Sequence, residues 1–246
     1  MRNLALAIAA GVLVFVLLAA TRLLSPFEAI APFVLVVFLA YYLLARRTFK
    51  KVEAVFTDAS KSLQSMPPRL ELAISTLEKG YAFVPWQFGV RSQVDTQIGV
   101  IHFLQKDFKK AQPYLERSLS MGHWMGGAML GVIYYKRKEN DAMRKTFDTV
   151  VKRAKGQGLA WNLYAYLLLQ LGDREGAQKL LADAVKKTKN DAKVKDALLA
   201  VQNNKKINMR SYKEQWYQFH LETPPPQQAP FMPGGRLTKM DRRGRW

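Results

Sequence analysis

The chain has 246 residues, a formal net charge of +19 and no cysteine. Without cysteine, disulfides, thiolate zinc sites, iron–sulfur ligation and cysteine nucleophiles are excluded. The charge is unevenly distributed, because Arg2, Arg22 and Glu28 are the only charged residues among the first 45. The sequence therefore divides into an apolar amino-terminal part and a strongly basic body.

Two charge-free apolar runs, residues 3–21 and 29–45, make up most of the amino-terminal part. A helix rises about 1.5 Å per residue and needs roughly 20 apolar residues to cross the hydrocarbon. The first run reaches that length if Arg22 extends to the interface. We therefore predict a transmembrane helical hairpin over residues 1–47. Ser25 and Glu28 have capping-box spacing, which predicts a tight turn between the helices.

Two prolines refine this prediction. Pro26 suits the first position of the second helix, and Pro32, within the second run, predicts a kink.

Positive charge flanks both outer ends of the hairpin, which predicts an integral protein of the bacterial inner membrane with its body in the cytoplasm. A cleaved signal peptide and a buried soluble hairpin are the alternatives. On the body side, the membrane-flanking residues are Arg46, Arg47, Lys50 and Lys51.

Residues 48–67 show apolar positions at helical spacing and predict a juxtamembrane amphipathic helix, either separate or a continuation of the second membrane helix. The run Met66-Pro67-Pro68 should end it.

A repeat follows in residues 68–206. Small, large and compact residues recur at intervals of 32 and 34 residues, a pattern typical of closely crossing pairs of helices. The aligned sets are Gly99, Gly131 and Ala165; Ala111, Met143 and Ala177; Leu115, Phe147 and Leu181; and Ser118, Val150 and Ala184.

The third unit resembles the tetratricopeptide repeat (TPR), whose spacing is matched by Trp161, Tyr164-Ala165, Leu168, Gly172-Asp173, Ala177, Leu181 and Ala184. The resemblance covers roughly residues 68–204 and implies an all-α protein: the hairpin, then an α-solenoid of TPR-like helical pairs with a capping helix over residues 191–206. Met143 and Pro113 depart from the family pattern, Pro113 by interrupting a second helix. A generic array of helical hairpins is the alternative.

Residues 207–246 comprise an aromatic segment and a Pro-rich basic tail. The composition of residues 223–246 predicts a mobile tail without a core.

The resemblance further implies a concave groove lined by the first helix of each unit. Its surface would be apolar and aromatic, which favours a protein or peptide partner that presents an apolar helix or extended segment. The alternative is a groove covered by the protein's own capping helix or tail. The predicted groove residues are Thr96, Val100, Phe103, Met125, Val132, Tyr135, Asn162, Tyr166 and Leu169.

No pattern indicates catalysis, a metal site or a cofactor. The glycine-rich stretch 122–131 lacks the preceding strand and following Gly-Lys-Ser/Thr of a phosphate-binding loop, so we assign its glycines to helix packing. His123 has no motif partner and is assigned a role in a turn or in packing.

The basic body leaves three functions open. We expect a membrane-anchored scaffold or adaptor that assembles proteins at the bilayer, its basic flank meeting anionic lipid. A membrane tether for a nucleic-acid-containing particle is the second reading, although no nucleic-acid-binding motif accompanies the charge. An integral subunit of a larger membrane complex is the third. The sequence does not indicate an oligomeric state.

Overall fold

A computed structural model describes residues 1–21, 25 and 27–225. Within those residues the chain forms eleven α-helices and two short 3-10 helices, with no β-strand. The predicted all-α class is confirmed. The 3-10 helices are Lys79–Phe83 and Met209–Tyr212. The α-helices are α1 (Arg2–Ala20), α2 (Ile30–Gln64), α3 (Leu70–Glu78), α4 (Val90–Leu104), α5 (Phe108–Ser118), α6 (Trp124–Lys136), α7 (Asn140–Arg153), α8 (Gly158–Gln170), α9 (Arg174–Lys187), α10 (Ala192–Gln202) and α11 (Glu214–Tyr217).

Helices α1 and α2 pack against each other and are both long and apolar enough to cross a membrane. Gly11 faces Phe33 and Val37 so closely that a β-carbon would not fit there. In the turn, the Ser25 N–H and hydroxyl each donate to Glu28 Oε2, at 2.8 and 2.7 Å. The Glu28 N–H donates back to Ser25 Oγ at 3.4 Å, so the reciprocal pair is present, but α2 begins later, at Ile30, without a side-chain cap. The predictions for Arg22 and Pro26 fall outside the described residues.

Helix α2 is a single helix of 35 residues, so the predicted juxtamembrane segment continues the apolar helix without a break. The boundary that we placed between residues 47 and 48 lies inside it. Pro32 is its third residue, and N–H groups in the first turn of a helix have no intrahelical acceptor. Pro32 therefore removes no hydrogen bond from the helix, and the reason for which we predicted a kink does not apply.

The body consists of successive helix pairs. Helix α4 packs on α5, α6 on α7 and α8 on α9, and the first helices of neighbouring pairs also touch. Gly99 faces Leu115 and Gly131 faces Phe147, so the same two repeat positions meet in both pairs. Every residue of the four aligned sets is buried. Pro113 lies on the exposed side of α5, which continues past it, so the predicted interruption was wrong.

A recurring turn ends the first helix of each pair and also α10. The turn residues have positive φ: Lys106 (64°), Lys138 (63°), Gly172 (80°) and Asn204 (57°). In each turn the next N–H donates to the carbonyl five residues earlier, as from Asp107 to His102 at 2.9 Å. This bond is the Schellman closure of a helix. Helix α9, a second helix, closes in the same way, with Lys189 at 53° and the Asn190 N–H donating to the Val185 carbonyl at 3.0 Å.

Two apolar clusters hold the body together. The smaller joins the second half of α2 to α3 and α4, through buried residues that include Val52, Ala59 and Val94. The larger extends from α4 to the carboxyl-terminal residues, with Trp216 and Phe219 fully buried. The chain thus belongs to the core as far as Phe219.

Candidate binding surface

The predicted groove residues lie on α4, α6 and α8, as the repeat register requires. Thr96, Phe103, Val132 and Asn162 are buried, with at most 2% of their surface exposed. The other five are partly buried: Val100, Met125, Tyr135, Tyr166 and Leu169. None of the nine is fully exposed: Thr96 packs against Gly122 and Gly126, and another part of the chain covers Asn162, Tyr166 and Phe103.

The cover is residues 207–221, which we call the groove segment. Near its start, Lys193 Nζ on α10 donates to the Ser211 carbonyl at 3.0 Å. Tyr212 Oη then accepts a bond from Asn162 Nδ2 on α8, also at 3.0 Å. The segment therefore enters the groove beside α10 and reaches α8.

Further along, Trp216 meets Tyr166 of α8 edge to face, with ring centroids 5.0 Å apart. His220 stacks on Phe103 of α4 at 5.6 Å, and its carbonyl accepts a bond from Lys136 of α6 at 2.8 Å. The groove segment thus crosses α8, α6 and α4 in turn. The occupant is thus the aromatic segment, and not the capping helix or the tail named in the alternative that the sequence left open.

The groove segment is held mainly by apolar contact. Trp216 Nε1, Asn162 Oδ1 and His220 Nε2 are buried without a hydrogen-bond partner in the described chain. A buried polar atom left unpaired costs about 1 to 3 kcal/mol. Burial, together with the charges of Lys106 and Lys136, lowers the pKa of His220, so its neutral form is favoured. The segment is therefore held less tightly than its buried rings suggest.

One end of the groove remains open. A cavity of about 570 Å³ lies between α8, the turn after α10 and Glu222. Its walls include the predicted residues Tyr166 and Leu169 and the exposed cations Lys205 and Lys206. Such a mixed surface suits a peptide with apolar and acidic side chains.

The amino terminus is fixed to the body by a buried polar network that the sequence did not reveal. Asn3 Nδ2 donates to Thr48 Oγ1 at 2.9 Å and to Gln87 Oε1 at 3.2 Å. Gln87 Nε2 donates to Tyr41 Oη at 2.9 Å. The backbone N–H of Arg2 also donates to the Pro85 carbonyl at 2.8 Å. This network, the α2 lock, joins the start of α1, the middle of α2 and the loop before α4.

The predicted flanking cations occupy two faces of α2, and all four are exposed. Arg47 and Lys51 line a cavity of about 260 Å³ beside the α2 lock, whereas Arg46 and Lys50 do not.

A second buried polar group lies where α4 meets α5. The Asp95 carboxylate is fully buried and accepts bonds from Arg117 Nη2 at 2.8 Å and from Tyr81 Oη at 2.6 Å. Burial and the adjacent Asp95 raise the pKa of Tyr81. Arg117 Nε also donates to Asp95 Oδ2 at 3.3 Å, so this group clamps α4 to α5.

The glycine-rich stretch contributes to packing, as predicted. Gly126, Gly127 and Gly131 lie buried on α6, and His123 Nδ1 accepts the Met125 N–H at 3.3 Å, which caps that helix. Among the described residues no cluster of His, Asp or Glu is placed to hold a metal ion.

Part of the basic surface has structural partners. Arg153 donates to the carbonyls of Leu119 and Gly122, and Arg144 pairs with Asp173 at 2.6 Å. Lys138 forms one of the recurring turns. The side chains of Arg144 and Arg153 are thus accounted for without an external polyanion.

No family model, curated protein or solved structure matches the chain.

Proposed function

We propose that the protein is a membrane-anchored scaffold of the TPR type, whose helical body binds a protein partner at the cytoplasmic surface of a bacterial inner membrane. In this proposal α1 and the first half of α2 form the transmembrane hairpin. The body is an α-solenoid, supported by the equivalent helix contacts and the recurring turn.

The observation that carries the proposal is the direct connection between the apolar helices and the body. Helix α2 runs unbroken from the apolar stretch into the smaller core cluster, and the α2 lock fixes α1 beside it. A body attached in this way moves with the hairpin as one unit, so the hairpin sets its position relative to the bilayer. That property is what a scaffold needs in order to present a partner at a defined height.

The groove is proposed as the partner site, with the groove segment as its internal occupant. A partner segment with similarly spaced aromatic residues would displace it, and the three unpaired polar atoms reduce the free energy of that exchange. The open cavity beside Tyr166 offers a first contact before the segment leaves.

Partner capture from membranes in mild detergent tests this proposal. Trp216→Ala weakens the groove segment, so it should increase the recovery of a specific partner. Adding Tyr135→Ala and Tyr166→Ala should abolish that recovery, because the same rings would hold the partner. Gln215→Ala, an exposed neighbour of Trp216, is the matched control. Equal recovery by all variants would contradict a role for the groove.

The orientation is tested separately. A reporter fused to the carboxyl terminus should be active only in its cytoplasmic form. Activity of an exported reporter at that position would refute the orientation.

A nucleic-acid tether is the alternative function, favoured by the net charge of +19. The logarithm of a nucleic-acid binding constant falls linearly with the logarithm of the salt concentration, whereas the binding of an apolar peptide does not depend on salt in this way. A titration between low and physiological salt separates the two. An integral subunit of a larger membrane complex is the third candidate, because the outer faces of α1 and α2 carry many exposed apolar side chains.

A further inference from the structure

The 260 Å³ cavity beside the α2 lock lies where the charge-free run of α2 ends. Leu44, Arg47, Thr48 and Lys51 line it from one stripe of α2. Their spacing of three and four residues places them on one helix face. The cavity therefore spans the change from apolar to basic residues along α2.

The opposite wall is aromatic. Phe83 and Trp86 contribute it, from the 3-10 helix Lys79–Phe83 and the loop that follows. Trp86 is 36% exposed and the nearby Phe88 is 55% exposed. Trp side chains are enriched at the boundary between hydrocarbon and head groups. The loop is thus suited to lie at head-group level beside the hairpin.

The charge at the cavity is unbalanced. Arg47 and Lys51 form no ion pair with a carboxylate in the described part of the chain. A third cation, Arg2, lies over the Trp86 ring at 5.2 Å from its centroid. Two positive charges therefore line a small cavity and a third lies against the Trp86 ring of its wall, while the hydrogen-bonded side chains of Asn3 and Thr48 also line it.

We propose that this cavity binds the head group of one anionic phospholipid, a site that rests on the proposed membrane insertion. The phosphate lies between Arg47 and Lys51, and the acyl chains follow Leu44 along the apolar half of α2. The volume is below the roughly 300 to 1,000 Å³ of sites that enclose a whole small molecule. It suits a lipid of which only the phosphate and glycerol enter the protein.

Two double variants give a matched test. Arg47→Gln with Lys51→Gln removes two charges from the cavity, and Arg46→Gln with Lys50→Gln removes two charges from the adjacent faces of the same helix. Native mass spectrometry of the full chain in detergent, titrated with phosphatidylglycerol or phosphatidylcholine, measures retention of one lipid. The wild type and the Arg46/Lys50 variant should retain phosphatidylglycerol preferentially. The Arg47/Lys51 variant should bind it roughly tenfold or more weakly, since each cation near an anionic lipid surface contributes about 1 kcal/mol.

Three results would overturn the site. Equal losses in both double variants would mean diffuse attraction, and no loss in either would mean no site. Competition by glycerol 3-phosphate or inorganic phosphate at the lipid's own concentration would assign the site to a soluble phosphate. Membrane extraction of each variant is measured in parallel. Failure of the wild type to insert would refute the proposed function, whereas normal insertion without lipid preference would refute only the lipid site.

Discussion

Replacement of Trp216 by alanine measures how strongly the groove segment is held. The side chain is fully buried against Tyr166. A buried Trp removes about 150 to 250 Å² from water, or roughly 4 to 6 kcal/mol at 25 cal/mol per Å². Its unpaired Nε1–H offsets about 1 to 3 kcal/mol of that. We expect a net loss of about 3 kcal/mol.

Hydrogen–deuterium exchange of the full chain in detergent is the assay. A loss of about 3 kcal/mol corresponds to a roughly 100-fold increase in local opening. Amides of the groove segment and of the facing side of α8 should therefore exchange roughly 100-fold faster. Trp216→Phe retains most of the ring and removes the unpaired N–H, so its effect should be much smaller.

Gln215, the exposed neighbour of Trp216, provides the control for this measurement. Gln215→Ala should change the free energy of opening by less than about 0.5 kcal/mol. If Trp216→Ala exchanged no faster than Gln215→Ala, the groove segment would not be docked as described, and the self-occupied groove would have to be abandoned.

Two further predictions test the helix crossing and the α2 lock. Ala177→Leu should overpack the buried contact of α9 with α8 and lower the free energy of unfolding by about 1 to 3 kcal/mol. The exposed control Lys186→Ala should lower it by less than about 0.5 kcal/mol, and similar small effects of both changes in thermal unfolding would show that the repeat register is wrong. Asn3→Ala leaves Thr48 and Gln87 without their shared donor, so the unfolding temperature in detergent should fall by roughly 4 to 8 °C, while exposed Leu6→Ala should leave it nearly unchanged. An unchanged Asn3→Ala protein would indicate that the lock contributes no stability.

The sequence predicted the features that depend on local pattern. Apolar runs and three-and-four spacing located α1, α2 and the helix pairs, because those patterns are fixed by the geometry of a single helix. The small residues Gly99 and Gly131 indicated close crossings, and the structure places a large side chain against each.

The features that the sequence did not predict depend on contacts between distant residues. Trp216 docks on Tyr166, fifty residues away, and no periodicity in a short aromatic stretch encodes that pairing. In the sequence, Asn3 is an ordinary polar residue at the start of an apolar run, and only the structure shows that Gln87 lies beside it. Lys106 and Lys138 adopt the same left-handed conformation as Gly172, but of these three residues only the glycine is of a type that predicts it. The repeat alignment contained that signal, because all three stand at equivalent positions.

The unbroken length of α2 has a mechanical consequence. Thirty-five residues at about 1.5 Å per residue give a rod of roughly 52 Å, of which about 30 Å suffices to cross hydrocarbon. In the proposed transmembrane arrangement, a thinner membrane can be accommodated by tilting of the rod. One degree of tilt moves the far end of such a rod by about 0.9 Å relative to its base. Because α3 and α4 are packed onto that end, such a tilt would move the body together with the rod, and with it any partner that the body holds.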